Sequence, residues 1–397
     1  MARNEHESGN SGNGAFLDGI QVVADNVQLS RKRIKLLFLN YNLNTGGIET
    51  LIVEMLNGLP RKQFDASVAV FEGGGALEAA VYEGGFQLHD LQKREGFDPG
   101  LVFRLRQLLK RERINIVHTH NFSAWLYAVL ATFAMPGVKI VHTEHSLVKG
   151  NKRRRFLAEK FCARYTRHIV AVSEDVKGKM VDLCGIPSAR IFVVTNGIDT
   201  GKFKSSPDLR ATARAGLGLD GNEFLIGTVG RLVKVKDHAT MIQAFTRLYE
   251  IDNQTRLLIV GDGLELKALT REIEQADLVG KVILAGDRRD VPALLSALDL
   301  YAVSSLSEGF SISILEAMSC GLALVATAVG GNSEILDHRV NGLLVSPADP
   351  MQLFQAMLEL RRDNRLRHDM GKRNREKITR EFSMQSMLDR YLQFYFS

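Results

Sequence analysis

The chain has 397 residues, enough for two or three domains, and its 45% hydrophobic and 24% charged content is that of an ordinary globular protein rather than a disordered or fibrous one. No apolar run reaches the roughly 18 residues needed to span a bilayer; the longest, Ala124 to Met135, is too short. The net charge of +6 is modest and comes with no recognition motif for nucleic acid, which excludes that partner class.

The first stretch, MARNEHESGNSGNGAF, is polar and rich in Gly, Ser and Asn, so residues 1–30 read as a flexible tail without the apolar centre of a signal peptide. Ile34 to Asn40 is a buried-strand run. It leads through Gly46-Gly47 into the amphipathic Leu51 to Leu59, a strand, glycine turn and helix. The two glycines serve either a tight turn or close approach of backbone N–H groups to a ligand. They are not a dinucleotide fingerprint, because the third glycine is absent.

Strands are expected at Ala66 to Phe71, Phe86 to Leu91, Ile114 to His118, Lys139 to His142, His168 to Val172 and Ile191 to Val194. Helices are expected at Leu101 to Arg113 and Ala124 to Phe133. His118, His120, His142 and His145 fall at the ends of neighbouring strands. Their spacing matches no metal motif, which leaves structural hydrogen bonding or contact with a sugar or phosphate. Residues 149–168 hold eight Lys or Arg and one acidic residue. That run is either a solvated helix face or a patch for an anionic membrane surface. Cys162, Cys184 and Cys320 are scattered without metal or redox spacing, which fits a reducing cytosol.

A second unit starts near Glu223. Phe224 to Val229 is a strand, followed by Gly230, Arg231 and Lys236, with Asp237 capping the helix Ala239 to Leu248. A guanidinium and an ammonium between strand and helix suit a diphosphate, or else pair on the surface. Arg256 to Val260, Val282 to Leu284 and Leu300 to Val303 are further strands, and Val291 to Ala297 is a helix. Strands alternating with helices in both halves predict an α/β chain of two Rossmann-like parallel-sheet domains. Their expected bounds are 31–197 and 222–380, with 198–221 as linker. The amphipathic end, 381–397, is a helix expected to return to the first domain.

The densest stretch is Ser305 to Gly321. It reads as loop, then a short helix through Ile312, Ile314, Leu315 and Met318, stopped by Gly321, with a strand at Leu322 to Ala326. The N–H groups of Ser311 to Ser313 would face an anion at the sheet's C-terminal edge. Glu308 and Glu316 flank that anion site, where a carboxylate is out of place as a phosphate ligand. Accepting bonds from sugar hydroxyls is its natural task, which points to two polyol rings around a diphosphate, a nucleotide-sugar. The plainer reading is an ordinary helix glutamate and a helix-dipole partner.

With these residues in hand, the chain resembles the family 4 glycosyltransferases of the GT-B fold, the group 1 glycosyl transferase type. The resemblance is carried in order by Gly46-Gly47-Ile48-Glu49, His118-Thr-His120, Thr143-Glu-His145, Val172-Ser173, Asn196-Gly197-Ile198-Asp199, Gly230-Arg231 with Lys236, Gly261-Asp-Gly263, Glu308-Gly-Phe310 through Glu316-Ala-Met318, Cys320-Gly321, and Gly330-Gly331 with Glu334. Leu91 to Pro99 also resembles members from bacterial exopolysaccharide and exosortase-associated clusters.

The resemblance implies a cleft between the domains and transfer of a hexose-type sugar with retention of configuration. The donor would be a nucleotide-diphosphate sugar, a UDP-sugar foremost, and the acceptor a saccharide or lipid-linked saccharide. No metal or other cofactor is implied. Arg231 and Lys236 would neutralise the departing diphosphate, Glu308 would bind the transferred sugar, and His145 would lie beside sugar and acceptor. Gly46, Gly47, Gly230, Gly263, Arg288, Gly309, Phe310, Ser311 and Ile312 would line the donor site, and Glu316 would hold the ribose. His120, Asn121 and Glu144 would lie on the acceptor side. The chain departs from the family at Ser311-Ile312-Ser313, where Gly-Leu-Pro is common, and at Ala323, where proline is common, which bears on the sugar pocket. A cytoplasmic location with peripheral membrane contact is expected. The alternatives are a nucleotide-sugar epimerase on the same fold and a non-catalytic nucleotide-sugar-binding partner of another transferase.

Overall fold

The structure is a computed structural model that describes residues 33–146, 153–219, 221 and 223–397. The expected tail at 1–30 and the lysines at the start of the basic run lie outside the described residues. The first domain runs β1 (Ile34–Asn40), α1 (Gly47–Gly58), β2 (Phe64–Val70), α2 (Glu78–Glu83), β3 (Gln87–Asp90), α3 (Pro99–Glu112), β4 (Ile116–Thr119), α4 (Phe122–Thr132), β5 (Lys139–Glu144), α5 (Arg153–Arg164), β6 (His168–Ala171), α6 (Glu174–Cys184) and β7 (Ile191–Val193). All paired strands are parallel, in the order β3-β2-β1-β4-β5-β6-β7. Such a sheet is covered on both faces, which is why β1 is apolar over Leu36 to Leu39 rather than alternating.

The second domain runs α7 (Pro207–Gly216), β8 (Phe224–Val229), α8 (His238–Ile251), β9 (Thr255–Val260), α9 (Leu266–Gln275), β10 (Val282–Leu284), α10 (Val291–Ala297), β11 (Leu300–Val303), α11 (Ile312–Ser319), β12 (Leu324–Thr327), α12 (Asn332–Ile335), β13 (Leu343–Val345), α13 (Pro350–Arg362) and α14 (Asn364–Glu381). Its sheet is parallel in the order β10-β9-β8-β11-β12-β13. The architecture is two Rossmann-like α/β domains, as read from the sequence. In both sheets the order turns beside the first strand of the domain, and there the C-terminal strand ends leave a crevice.

Local chemistry sets the element ends. Asp98, Asn121, Ser173, Ser206 and Asp349 each accept a backbone N–H and cap α3, α4, α6, α7 and α13. The strand expected at Leu322 begins at Leu324 instead. Gly321 is left-handed at φ +74°, and Leu322 N–H bonds back to Ala317, so both residues close α11 before the strand can start. Within 198–221, α7 packs on the second domain, where Arg210 and Arg214 donate to Ala297 O and reach Asp299.

The chain crosses between the domains twice, side by side. Ile198 N–H donates to Phe382 O, and Met384 N–H to Ile198 O. A Cβ on Gly197 would collide with the returning chain at Ser383 and Met387, so this crossing needs glycine. The last helix, α15 (Met384–Phe396), then lies on the first domain. Met387, Leu388, Tyr391 and Tyr395 are buried there with Leu36, Phe38, Leu51 and Phe64.

Candidate active site

The two C-terminal sheet edges face each other across a cleft of about 480 Å³. The first domain supplies Thr45 to Ile48, His145, Ser146 and Asn196. The second supplies Gly230, Arg231, Lys236, Asp287, Arg288, Glu308 to Ser313 and Glu316. Of the residues expected to form the site, Gly263, His120, Asn121 and Glu144 do not line the cleft. The other thirteen do.

Two helix N-termini from opposite domains meet here. Gly46 opens α1 in extended backbone with no side-chain cap, and Ser311 opens α11, also without one. Gly47 faces Ile312 so closely that a Cβ would lie 3.2 Å from Ile312 Cδ1. The first N–H groups of each helix lack intrahelical acceptors. Two partial positive charges therefore converge on one space, the setting in which phosphate binds. Arg231 adds a full charge. It is exposed to the cleft, and among the described residues its guanidinium has no hydrogen-bond or ion-pair partner, although Glu49 across the cleft feels its field.

Lys236 is already engaged. Its Nζ lies 2.6 Å from Glu308 Oε1, and Ser305 Oγ donates to the same oxygen at 2.6 Å. The Ser304 hydroxyl donates to Lys236 O and Asp237 O, fixing the loop on which Lys236 stands. Glu308 thus keeps its Oε2 for a ligand. Glu316 sits one helical turn inside α11. Burial pushes its carboxyl up to about 8, aided by Glu54 on α1 and opposed by Lys202. Arg288 is forked onto Asp290, with Nε 2.7 Å from Oδ1.

On the first-domain side burial keeps His120 and His145 neutral. His145 Nε2 is 3.1 Å from His120 Nδ1, and burial holds His145 down at about 4. Behind them His118 is gripped by Tyr395 Oη at 2.7 Å and Thr143 Oγ1 at 2.8 Å. His142 is on the opposite face of the sheet, stacked on Trp125 at 3.9 Å and bonded to Thr119. Asn121 caps α4 and donates to Asn40, and Glu144 is buried, with Oε2 3.5 Å from His142 Nε2. Gly263 packs against the Leu232 backbone, where a side chain would clash. Among the described residues no group of His, Cys, Asp or Glu is arranged to hold a metal ion.

The cleft walls also touch. A Cβ on Gly309 would strike the His145 carbonyl across the cleft, while Gly331 packs on the Gly309 carbonyl within the second domain. Asn196 Nδ2 donates to Phe310 O at 3.2 Å, and Thr45 Oγ1 to Asp287 at 3.1 Å. Glu334 of α12 takes the N–H groups of Glu174 and Asp175, each at 2.9 Å, and so caps α6 of the other domain. The sequence does not mark Thr45, Asp287 and this use of Glu334, because each is a contact between distant segments. Nor does it mark Ser305, whose bond to Glu308 three residues on depends on the shape of the loop.

Two facing Rossmann-like domains around a phosphate-suited cleft define the GT-B class of glycosyltransferase. Residues 45–202 match the model described as Glycosyltransferase Family 4, and residues 210–377 match the one described as Glycosyl transferases group 1. The chain belongs to this family. It is 26% identical over 373 residues to the UDP-Gal:alpha-D-GlcNAc-diphosphoundecaprenol alpha-1,3-galactosyltransferase of Escherichia coli, covering 88% of this chain and 93% of that protein. It is 28% identical to the N-acetyl-alpha-D-glucosaminyl L-malate synthase of Bacillus anthracis, covering 76% of this chain and 79% of that one. The fold is shared with HepE of Anabaena, solved in complex with UDP and glucose, at a TM-score of 0.83 and 24% identity over 91% of this chain and 99% of that one. It is shared also with WaaG, a glycosyltransferase involved in lipopolysaccharide biosynthesis, at a TM-score of 0.74 and 18% identity over 91% of this chain and 99% of that one.

Proposed function

We propose that the protein moves a hexose-type sugar from a UDP-sugar to a saccharide or lipid-linked saccharide, with retention of configuration and without a bound metal, in polysaccharide or glycoconjugate biosynthesis. The observation that carries this reading is the convergence of two uncapped helix N-termini and the unpaired Arg231 on one cleft. Such a site would take the charge of a departing nucleoside diphosphate and do a metal's electrostatic work. The choice of UDP and of a lipid-linked acceptor is supported by the names of the Escherichia coli relative and the Anabaena neighbour.

In this reading Arg231, Lys236 and the N–H groups of Gly47, Ile312 and Ser313 hold the diphosphate. The bond between sugar C1 and the phosphate oxygen breaks, and its electron pair leaves with the diphosphate. The acceptor hydroxyl attacks C1 from the same face, and its proton passes to the departing phosphate oxygen. Glu308 orients the sugar through its hydroxyls, and Glu316 holds the ribose. No protein atom bonds covalently to the sugar.

The acceptor is reached at the cytoplasmic face of a membrane. No helix among the described residues is long and apolar enough to cross one; in this reading the contact is peripheral. Support comes from α5, where Leu157, Phe161 and the neighbouring Tyr165 and Phe133 are exposed beside Lys160, Arg164 and Arg190. Apolar rings among cations suit the interface of an anionic bilayer. Vesicles of anionic lipid should pellet the protein in a salt-sensitive way. Failure to pellet at low salt removes this part of the reading.

The main test incubates purified protein with a panel of UDP- and GDP-sugars and a membrane lipid extract, following free nucleoside diphosphate. Release with one donor, lost in Arg231→Ala and Glu308→Ala, is expected. A changed nucleotide-sugar without free diphosphate would point to an epimerase instead.

A further inference from the structure

His145 is the imidazole that lines the cleft, and its Nε2 is 3.1 Å from Nδ1 of His120. Burial and neighbouring histidines keep both rings neutral near pH 7. One of the two facing nitrogens must therefore carry the proton and the other a lone pair. The far side of His120 decides which. Its Nε2 is buried without a partner. A proton there would leave an N–H donor buried and unbonded, at the full desolvation cost. A proton on Nδ1 instead makes the bond to His145 and leaves over only a lone pair.

We propose that His120 is a positioning residue whose Nδ1–H donates to His145 Nε2 and fixes His145 as the Nδ1–H tautomer, so that the cleft meets a hydrogen-bond donor. His145 Nδ1 has no protein partner among the described residues and is not among the buried unpartnered atoms, so it is open to a ligand. The His120 ring is held on both sides, by Phe38 at 5.8 Å and by His118 at 4.1 Å between ring centroids. It therefore cannot turn freely to exchange its nitrogens. What His145 offers is a neutral donor, suited to an acceptor oxygen of a sugar. A cation at that place would oppose the positive charge that builds on the sugar as the leaving group departs. This consequence rests on the reading of the cleft as a sugar-transfer site; the tautomer itself does not.

The test has two arms. Protein labelled with nitrogen-15 in histidine is examined by long-range nitrogen–proton correlation, which distinguishes the two tautomers. His145 should carry its proton on Nδ1, and an Nε2–H ring overturns the proposal. In kinetics, His120→Leu should lower kcat by roughly 10- to 100-fold while the donor KM moves by less than about threefold. His120→Asn, whose amide nitrogen sits near the place of Nδ1, should recover most of kcat. An unchanged kcat in a folded His120→Leu protein also overturns it. The spectrum needs no substrate and no variant. A protein that turns over no nucleotide-sugar yet shows the Nδ1–H ring would sink the transfer reading while leaving the tautomer decided.

Discussion

The two walls of the cleft are built from opposite kinds of chemistry. The second domain presents charge: Arg231, Lys236 with Glu308, Asp287, and Arg288 with Asp290. The first presents neutral groups, the glycine backbone at Gly46 and Gly47 and the histidines held neutral by burial. The difference follows from what surrounds each wall. Arg231 and Asp287 stand on loops open to water, where charge is cheap, and the more buried Lys236 and Glu308 neutralise each other. The first-domain histidines sit over a sheet sealed by Tyr391 and Tyr395 of α15, where an added proton has no solvent. A diphosphate on one side and uncharged hydroxyls on the other would match this division.

The comparison is broken most severely at its largest free charge. Arg231→Ala should lower kcat by roughly 10²- to 10³-fold, and Arg231→Lys should recover only part of it, since an ammonium cannot fork onto two phosphate oxygens. Steady-state release of nucleoside diphosphate measures both. An alanine variant within about threefold of the parent would move the charge stabilisation elsewhere. The next effect lies on the neutral side. Leu388 is buried between α15 and the first domain, and a Cβ on Gly58 would already touch it. Leu388→Ala should cost about 2–5 kcal/mol in denaturant unfolding. It should also unseat the tyrosines that seal the histidines, whereas Arg231→Ala should leave stability within about 0.5 kcal/mol.

Much of this division was legible in the sequence, and the reasons differ by element. Buried parallel strands such as Leu300 to Val303 read clearly, because both faces are apolar. Arg231, Lys236 and Glu308 stand out because charged residues after strand ends interrupt an otherwise apolar pattern, and Glu316 because it is the one charge in the short apolar helix that follows. Helix α14 was not read, because its buried face is made of Met370, Gly371, Asn374 and Ile378, too polar a stripe to show the helical period. Asn374 is buried because it donates to Leu322 O and Asn341 O, partners that only the fold supplies. Gly263 shows the same limit. A motif glycine that makes room for a ligand and one that makes room for backbone look identical until Leu232 is seen against it.

A smaller effect tests how the walls are held together. Glu334 caps α6 across the domain boundary with both carboxylate oxygens. Glu334→Ala removes the acceptor from two N–H groups and the anion from a helix N-terminus. The domains should then part more readily, raising donor KM by roughly threefold, with Arg231 and Glu308 untouched. Small-angle scattering of the donor-free protein should show a more open average shape. An unchanged profile together with unchanged KM would mean that the close contact of Gly309 with His145 and the Asn196 and Thr45 hydrogen bonds suffice for closure.

The last effect follows from a carboxyl whose charge state both walls help to set. Glu316 is pushed up to about 8 by burial, with Glu54 of the first domain adding to the push. A carboxyl raised in the folded state binds a proton that the unfolded chain has already lost. Its contribution to stability is therefore present below the ordinary carboxylate range and is lost as pH rises towards 8. Binding has the opposite sign. If ribose hydroxyls donate to the ionised carboxylate, the donor must expel the proton below that pKa, so donor affinity should rise by about fivefold from pH 7 to pH 8 and then level off. Glu316→Gln should flatten both slopes at once. Glu54→Gln should keep both but move them to lower pH, because it removes the charge that the first domain contributes. A rise in affinity that survives in Glu316→Gln would assign the titration to another group, and would leave Glu316 a neutral donor to the ribose rather than its acceptor.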